Sequence, residues 1–321
     1  MSSNPECKPS DIYTAAEKDT ITLLRVISTL LVLLIHITIF VDLPGVLGQI
    51  AAYGADGVNI FSMLTGFLVM NSWHDRTSTK EYWHKRIRRL LPLYYFILIL
   101  LIVVKWDWFL QEPFSIPRAL LLLNYIVPSK VDYNYSGLWL LGTIPIFMTF
   151  YVLIPLISKC IKKLEGALIL FIGATLSQYL ILHLYIHFFG NAYSVTTMTG
   201  YFMEKLLYFL AGVMVFYGKR YDRVWQMLLY QLFIMAAGMR YSFLNLSLIG
   251  TLPLLVAILL CFPIALPHCM IKPLRWVDSL GMGVLVVQFH IFEKLYAVFA
   301  HTEAISPKMQ FFSYLGSAEK V

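Results

Sequence analysis

Charge is scarce in this chain. Of its 321 residues, 13% are charged and 59% are hydrophobic, whereas a soluble domain carries about a quarter charged residues. A soluble fold of this size could not hide that much apolar surface. The same shortage excludes an intrinsically disordered chain and a long charged coiled coil. Cysteine is also sparse. Cys7, Cys160, Cys261 and Cys269 show no CxxC spacing, which excludes a disulfide-stapled secreted scaffold and a thiolate zinc site. Walker, GxGxxG, GxSxG and HExxH patterns are missing, as are internal repeats and low-complexity tracts. The first 20 or so residues have no apolar core, so a cleaved signal peptide is not expected.

What the chain does have is long apolar runs, near the ~20 residues a helix needs to cross a bilayer. They are Ile21–Val41, Ala51–Met70, Leu90–Val104, the short Ile116–Val127, Leu138–Ser158, Ala167–Phe188, Gly200–Tyr217, Val224–Gly238, Leu246–Leu266 and Val277–Phe299. The runs are continuously apolar, which argues against the alternating pattern of a membrane β-barrel. The expected fold is all-α, a polytopic helical membrane bundle of about ten transmembrane segments. Its parts are a cytoplasmic tail over 1–20, a membrane domain over 21–300 and a C-terminal tail over 301–321. The tryptophans lie near segment ends, as interfacial anchors do.

The net charge of +7 reads as cytoplasmic loops and anionic partners in such a protein, not as nucleic-acid binding. The strongest basic cluster, Arg76, Lys80, Lys85, Arg86, Arg88 and Arg89, follows the second segment. Read as a cytoplasmic loop, it puts the N-terminus in the cytoplasm and the stretch Asp42–Ile50, which has no Lys or Arg, outside. Two topologies then compete. If Ile116–Val127 does not cross, Lys159, Lys162, Lys163, Lys219, Arg220, Arg223, Lys272 and Arg275 all fall inside. If it crosses, every later loop flips and the charge rule is broken repeatedly.

Several polar residues sit where burial is expensive. Arg in a bilayer costs roughly 3 kcal/mol on insertion scales. Arg25 and His36 lie in the first span, eleven residues apart. That spacing puts both on one helix face about 16 Å apart. Arg25 alone could snorkel to the headgroups, and His36 alone could be a hydrogen-bonded packing residue. Together they point to a polar cavity. Asn59 and Thr65 add polar groups to the glycine-containing run Gly57–Phe67, whose small residues also suit close helix packing. Arg86 and Arg89 face one side of a helix start just ahead of Pro92, a geometry that can clamp a phosphate, or simply anchor a cytoplasmic loop. Gln288 and His290 fall in the last apolar segment. His183 and His187 have i,i+4 spacing but no third ligand, so no metal site is expected.

These features, in this order, resemble the integral-membrane acyltransferase-3 family, which includes O-acetyltransferases of bacterial surface polysaccharides. The matching features are Arg25 and His36 in the first span, Gly57 through Phe67 in the second, and the RxxR-proline run Arg86, Arg89 and Pro92. Trp139, Tyr151 and Pro155 match a Trp-led span, and His290 the end of the last. The acidic residue that many members carry after the Trp is missing from Leu140–Pro145.

The resemblance implies transfer of an acyl group, acetyl above all, from acyl-CoA to a hydroxyl of a cell-surface or lipid-linked carbohydrate. It implies His36 as general base or acyl carrier, Arg25 as orienting cation, and Arg86 and Arg89 as ligands of the CoA phosphates. Asn59, Thr65, Trp139, Gln288 and His290 would line the cavity or assist. No resident cofactor or metal is implied. Acyl-CoA, the glycan acceptor and membrane lipids are the expected partners, and self-association is left open. The implied location is a bacterial inner membrane, multi-pass, with the N-terminus cytoplasmic. The competing reading is a multispan exporter of a glycan or lipid-linked precursor, which would share the spans, buried polar groups and basic loop.

Overall fold

The computed structural model describes residues 13–38, 41, 43–74, 78–104, 106–111, 114–123, 143–189, 193–240, 246–281 and 283. Among these residues there is no strand. The helices are α1 (Ala15–Ile37), α2 (Gly45–Ala52), α3 (Asp56–His74), α4 (Thr79–Val104), α5 (Trp106–Gln111), α6 (Ser115–Leu120), α7 (Thr143–Cys160), α8 (Leu164–Phe189), α9 (Tyr193–Arg220), α10 (Val224–Arg240) and α11 (Leu246–Cys261). A further helical stretch covers 268–281. By length and composition, α1, α4 and Leu164–Ile181 of α8 suffice to cross a membrane, and shorter apolar helices accompany them. The protein is an all-helical membrane protein.

The helix boundaries depart from the sequence expectation in four places. Helix α1 starts at Ala15, ahead of Ile21, because Thr14 and Glu17 form a capping box. The Glu17 amide donates to Thr14 Oγ1 and the Thr14 amide donates to Glu17 Oε2, which satisfies two otherwise orphaned donors. The second apolar run is broken at Tyr53–Ala55, and part of the expected external loop is α2. The cluster Lys80–Arg89 is not a loop but the first half of α4, with Pro92 well inside that helix.

The fourth departure is Ile116–Val127. Its helix, α6, is six residues long, about 9 Å, and stops at Leu120. Leu122 takes a left-handed φ of 61°. Its amide donates to the Ala119 carbonyl and that of Leu123 to the Arg118 carbonyl, a Schellman closure. The hydroxyls of Tyr94 and Tyr95 donate to the Ala119 and Leu120 carbonyls at 2.7 and 2.9 Å. Tyr94 lies about 15 Å along α4 from its end at Val104, so α6 turns back along that helix. Irregular backbone at such a level survives only when its polar groups are satisfied within the protein, and the two tyrosines do part of that.

The chain divides into two compact units, Met1–Phe61 with Leu255–Val321 and Ser62–Leu254. In the first, α1 and the start of α3 run antiparallel. A Cβ on Gly57 would fall on the Ser28 carbonyl oxygen, and one on Gly54 against Leu31 and Ile35. Only glycine allows that approach. The stretch 268–281 runs parallel to α1. Asp19 pairs with Arg275, Arg25 with Asp278, and Gly281 packs on Thr29.

In the second unit, α3 and α9 meet at Gly66 and Gly212. A Cβ at either would land on the carbonyl oxygen of Phe209 or Met63, respectively. Phe150 of α7 stacks on Phe209 with centroids 4.5 Å apart. Helices α4 and α7 are antiparallel, for Tyr82 Oη donates to the Tyr151 carbonyl at 3.0 Å and the α4 start shares a cavity with the α7 end. The end of α3 and the turns α7–α8 and α9–α10 gather at one end of this unit. His74 stacks on Phe216, Tyr217 Oη donates to the Ile161 carbonyl at 2.7 Å, and Arg223 pairs with Glu165. That end carries Lys80, Lys159, Lys162, Lys163, Lys219, Arg220 and Arg223.

Candidate active site

The candidate residues distribute over both units. In the first, α1 carries Arg25 and His36 on one unbroken helix. Arg25 does not snorkel free. Its Nε lies 3.1 Å from Asp278 Oδ1, and the two side chains are 29% and 19% exposed. One turn and a half earlier on α1, Asp19 accepts from Arg275 at 3.1 Å, and Thr20 Oγ1 accepts the Ile264 amide at 2.8 Å. The two ion pairs have opposite polarity along the same helix pair, so they specify register. His36 sits in the last turn of α1, half-buried, with its Nδ1 shielded from solvent. Buried Asn59 donates to Asp56 Oδ1 at 2.9 Å within α3.

The second unit holds Arg86, Arg89 and Thr65. Thr65 is half-buried in α3. The two arginines are not equivalent. Arg86 donates to the Tyr82 carbonyl at 3.1 Å and to Ser72 Oγ at 3.2 Å. Its guanidinium lies 3.8 Å from the Tyr82 ring centroid and 5.4 Å from that of Tyr151. Arg89 is exposed. Arg86 thus ties α3, α4 and α7 together, and Arg89 is the one presented outward. Trp139, Gln288 and His290 lie outside the described residues. Among the described residues no group of His, Cys, Asp and Glu could hold a metal ion.

Two features went unrecognised in the sequence. Asp278 is an acid inside an apolar run, and a charge in a span demands a partner. That signal was legible, but its partner was not. The other is a cavity of about 320 Å³ at the basic end of the second unit. It is lined by Trp73, His74, Ser78, Thr79, Ser158, Lys159 and Lys162.

Fold and site together define a helical membrane protein with a charged pair inside one unit and a basic, cavity-bearing end on the other. Comparison with known families makes this more specific: the acyltransferase-3 family, described as an acyltransferase domain, matches residues 19–318. The chain belongs to that family, and it is a membrane acyltransferase. No curated protein and no solved structure matches it.

Proposed function

We propose that the protein moves an acetyl group from acetyl-CoA to a hydroxyl of a cell-surface or lipid-linked carbohydrate, in a bacterial inner membrane with its N-terminus cytoplasmic. The observation that carries this reading is the family match over nearly the whole chain. The donor assignment draws on the basic end of the second unit, because CoA is anionic and basic turns are retained on the cytoplasmic face. With Ile116–Val127 not crossing, Lys159, Lys162, Lys163, Lys219, Arg220, Arg223, Lys272 and Arg275 all fall inside, which favours nine spans over ten.

In the reaction, the acceptor oxygen attacks the thioester carbonyl, an ester C–O bond forms and the C–S bond breaks. His36 takes the hydroxyl proton and returns it to the departing thiolate. Arg25 orients the thioester and offsets charge on the tetrahedral intermediate, with Asp278 holding its guanidinium in place. Arg89 meets the donor phosphates, and Arg86 holds the helices on which that interaction depends. Asn59, Thr65, Gln288, Trp139 and His290 line the path or shape it.

The test uses labelled acetyl-CoA and acceptor-bearing membranes with wild type or His36→Ala. Alkali-labile label in glycan is expected with wild type and none with the variant at equal protein level. Full labelling by His36→Ala would remove His36 from the chemistry. Export of a glycan precursor without any acyl transfer would favour the transporter reading.

A further inference from the structure

We infer that the cavity lined by the end of α3, the start of α4 and the end of α7 is a binding site for a phosphate-bearing anion, separate from Arg86 and Arg89. Its lining draws on three helix ends. Lys159 comes from the last turn of α7 and Lys162 from the turn after it, His74 from the end of α3, and Ser78 and Thr79 from the start of α4. Lys159 makes no ion pair or hydrogen bond among the described residues, and Lys162 donates to the Ser158 carbonyl of α7 at 2.6 Å. Nearby carboxylates are otherwise engaged: Glu165 with Arg223, and Glu81 with Lys85. Two exposed lysines therefore border one concavity, and among the described residues no carboxylate pairs with them.

Ser78 and Thr79 stand at the start of α4, where Ser78 Oγ accepts the Glu81 amide at 3.5 Å and the positive end of the helix dipole favours an anion. Among the lining groups Trp73 adds an indole, packed edge-on against Tyr82 with centroids 4.8 Å apart. A volume of about 320 Å³ admits a phosphate with part of a nucleoside and excludes a whole CoA. The matching chemistry is a phosphate monoester or diphosphate, from the adenosine 3′,5′-bisphosphate end of CoA or from an anionic lipid headgroup. The first source rests on the acetyl-CoA reading above, whereas the site itself does not.

Full-length protein in zwitterionic lipid nanodiscs is titrated calorimetrically with adenosine 3′,5′-bisphosphate. A parallel set of nanodiscs contains phosphatidylglycerol, with thermal stability as the readout. Lys159→Gln and Lys159→Gln/Lys162→Gln are compared with Lys163→Gln, which removes the same charge from the same turn outside the cavity. Removing a charge-assisted hydrogen bond at each lysine should weaken bisphosphate binding at least about tenfold in the double variant. Lys163→Gln should bind within about twofold of wild type, since an exposed charge outside the site contributes little. If wild type ignores the bisphosphate but gains stability from phosphatidylglycerol, and the double variant loses that gain, the phosphate site stands and its ligand is lipid. Binding unchanged in both Lys159 variants, or lost equally in Lys163→Gln, overturns the inference. Acyl transfer is scored separately. Active wild type with an unaltered acetyl-CoA KM in the double variant sinks the donor role alone. Inactive wild type that still binds bisphosphate through Lys159 sinks the acetyl-CoA reading alone.

Discussion

Asp278 offers the sharpest test of how the first unit is built. Replacing Asp278 with Asn removes the charge that faces Arg25 at 3.1 Å. At that separation, with an effective dielectric near 20, the Coulomb attraction is about 5 kcal/mol. Part of it is offset by desolvation, and side-chain exposures of 29% and 19% admit some screening. A net coupling of about 1–3 kcal/mol remains. For a protein of this size, 2 kcal/mol corresponds to roughly 3 °C in melting temperature.

The assay is a double-mutant cycle read by thermal unfolding in detergent, with Arg25→Gln, Asp278→Asn and the pair combined. Each single variant strands one charge, so each should lower the midpoint by several degrees. The double variant should melt no lower than the worse single. Acyl transfer is measured on the same four proteins. If Arg25 also meets the thioester, the double variant regains stability and stays inactive. Strictly additive midpoints would refute the pairing. Restored activity in the double variant would reduce Arg25 to a structural partner of Asp278.

Other outcomes follow from the packing. Gly212→Ala should destabilise by about 1–2 kcal/mol, since overpacking against the Met63 carbonyl outweighs the ~1 kcal/mol gain in helix propensity. Gly173→Ala, with nothing within 4 Å of the new Cβ, should be neutral or stabilising in the same melt. Tyr94→Phe removes the 2.7 Å donor to the Ala119 carbonyl, which keeps the Leu122 amide, and should cost about 0.5–1.5 kcal/mol; an unchanged midpoint would mean α6 is not held this way. Arg86→Ala should lower the melting temperature, because its guanidinium no longer bridges Ser72, Tyr82 and Tyr151. Arg89→Ala should instead leave stability intact and raise the acetyl-CoA KM. Equal effects on both readouts would erase the distinction between them.

Much of the fold was legible in the residues because its causes are local. A continuous apolar run of membrane length has to be a helix, since no other open structure satisfies its backbone in lipid. The capping box at Thr14 and Glu17 was equally readable, yet the polar composition before Ile21 obscured it. Tyr53–Ala55 and α6 were harder. Nothing in the apolarity of Ala51–Met70 or Ile116–Val127 separates a crossing helix from one that stops and turns.

The candidate site divides along the same line. Arg25, His36, Arg86 and Arg89 stand out from sequence because ionisable groups in or beside spans are costly, and their spacing sets a helix face. Their surroundings do not stand out. Asp19 and Arg275 are 256 positions apart, and neither their pairing nor that of Arg25 with Asp278 follows from any local pattern. The same holds for the unlike surroundings of Arg86 and Arg89, and for the meeting of Lys159 with the start of α4. Side-chain chemistry is written residue by residue, whereas which charges neutralise each other and which remain open to a ligand depends on how the helices pack.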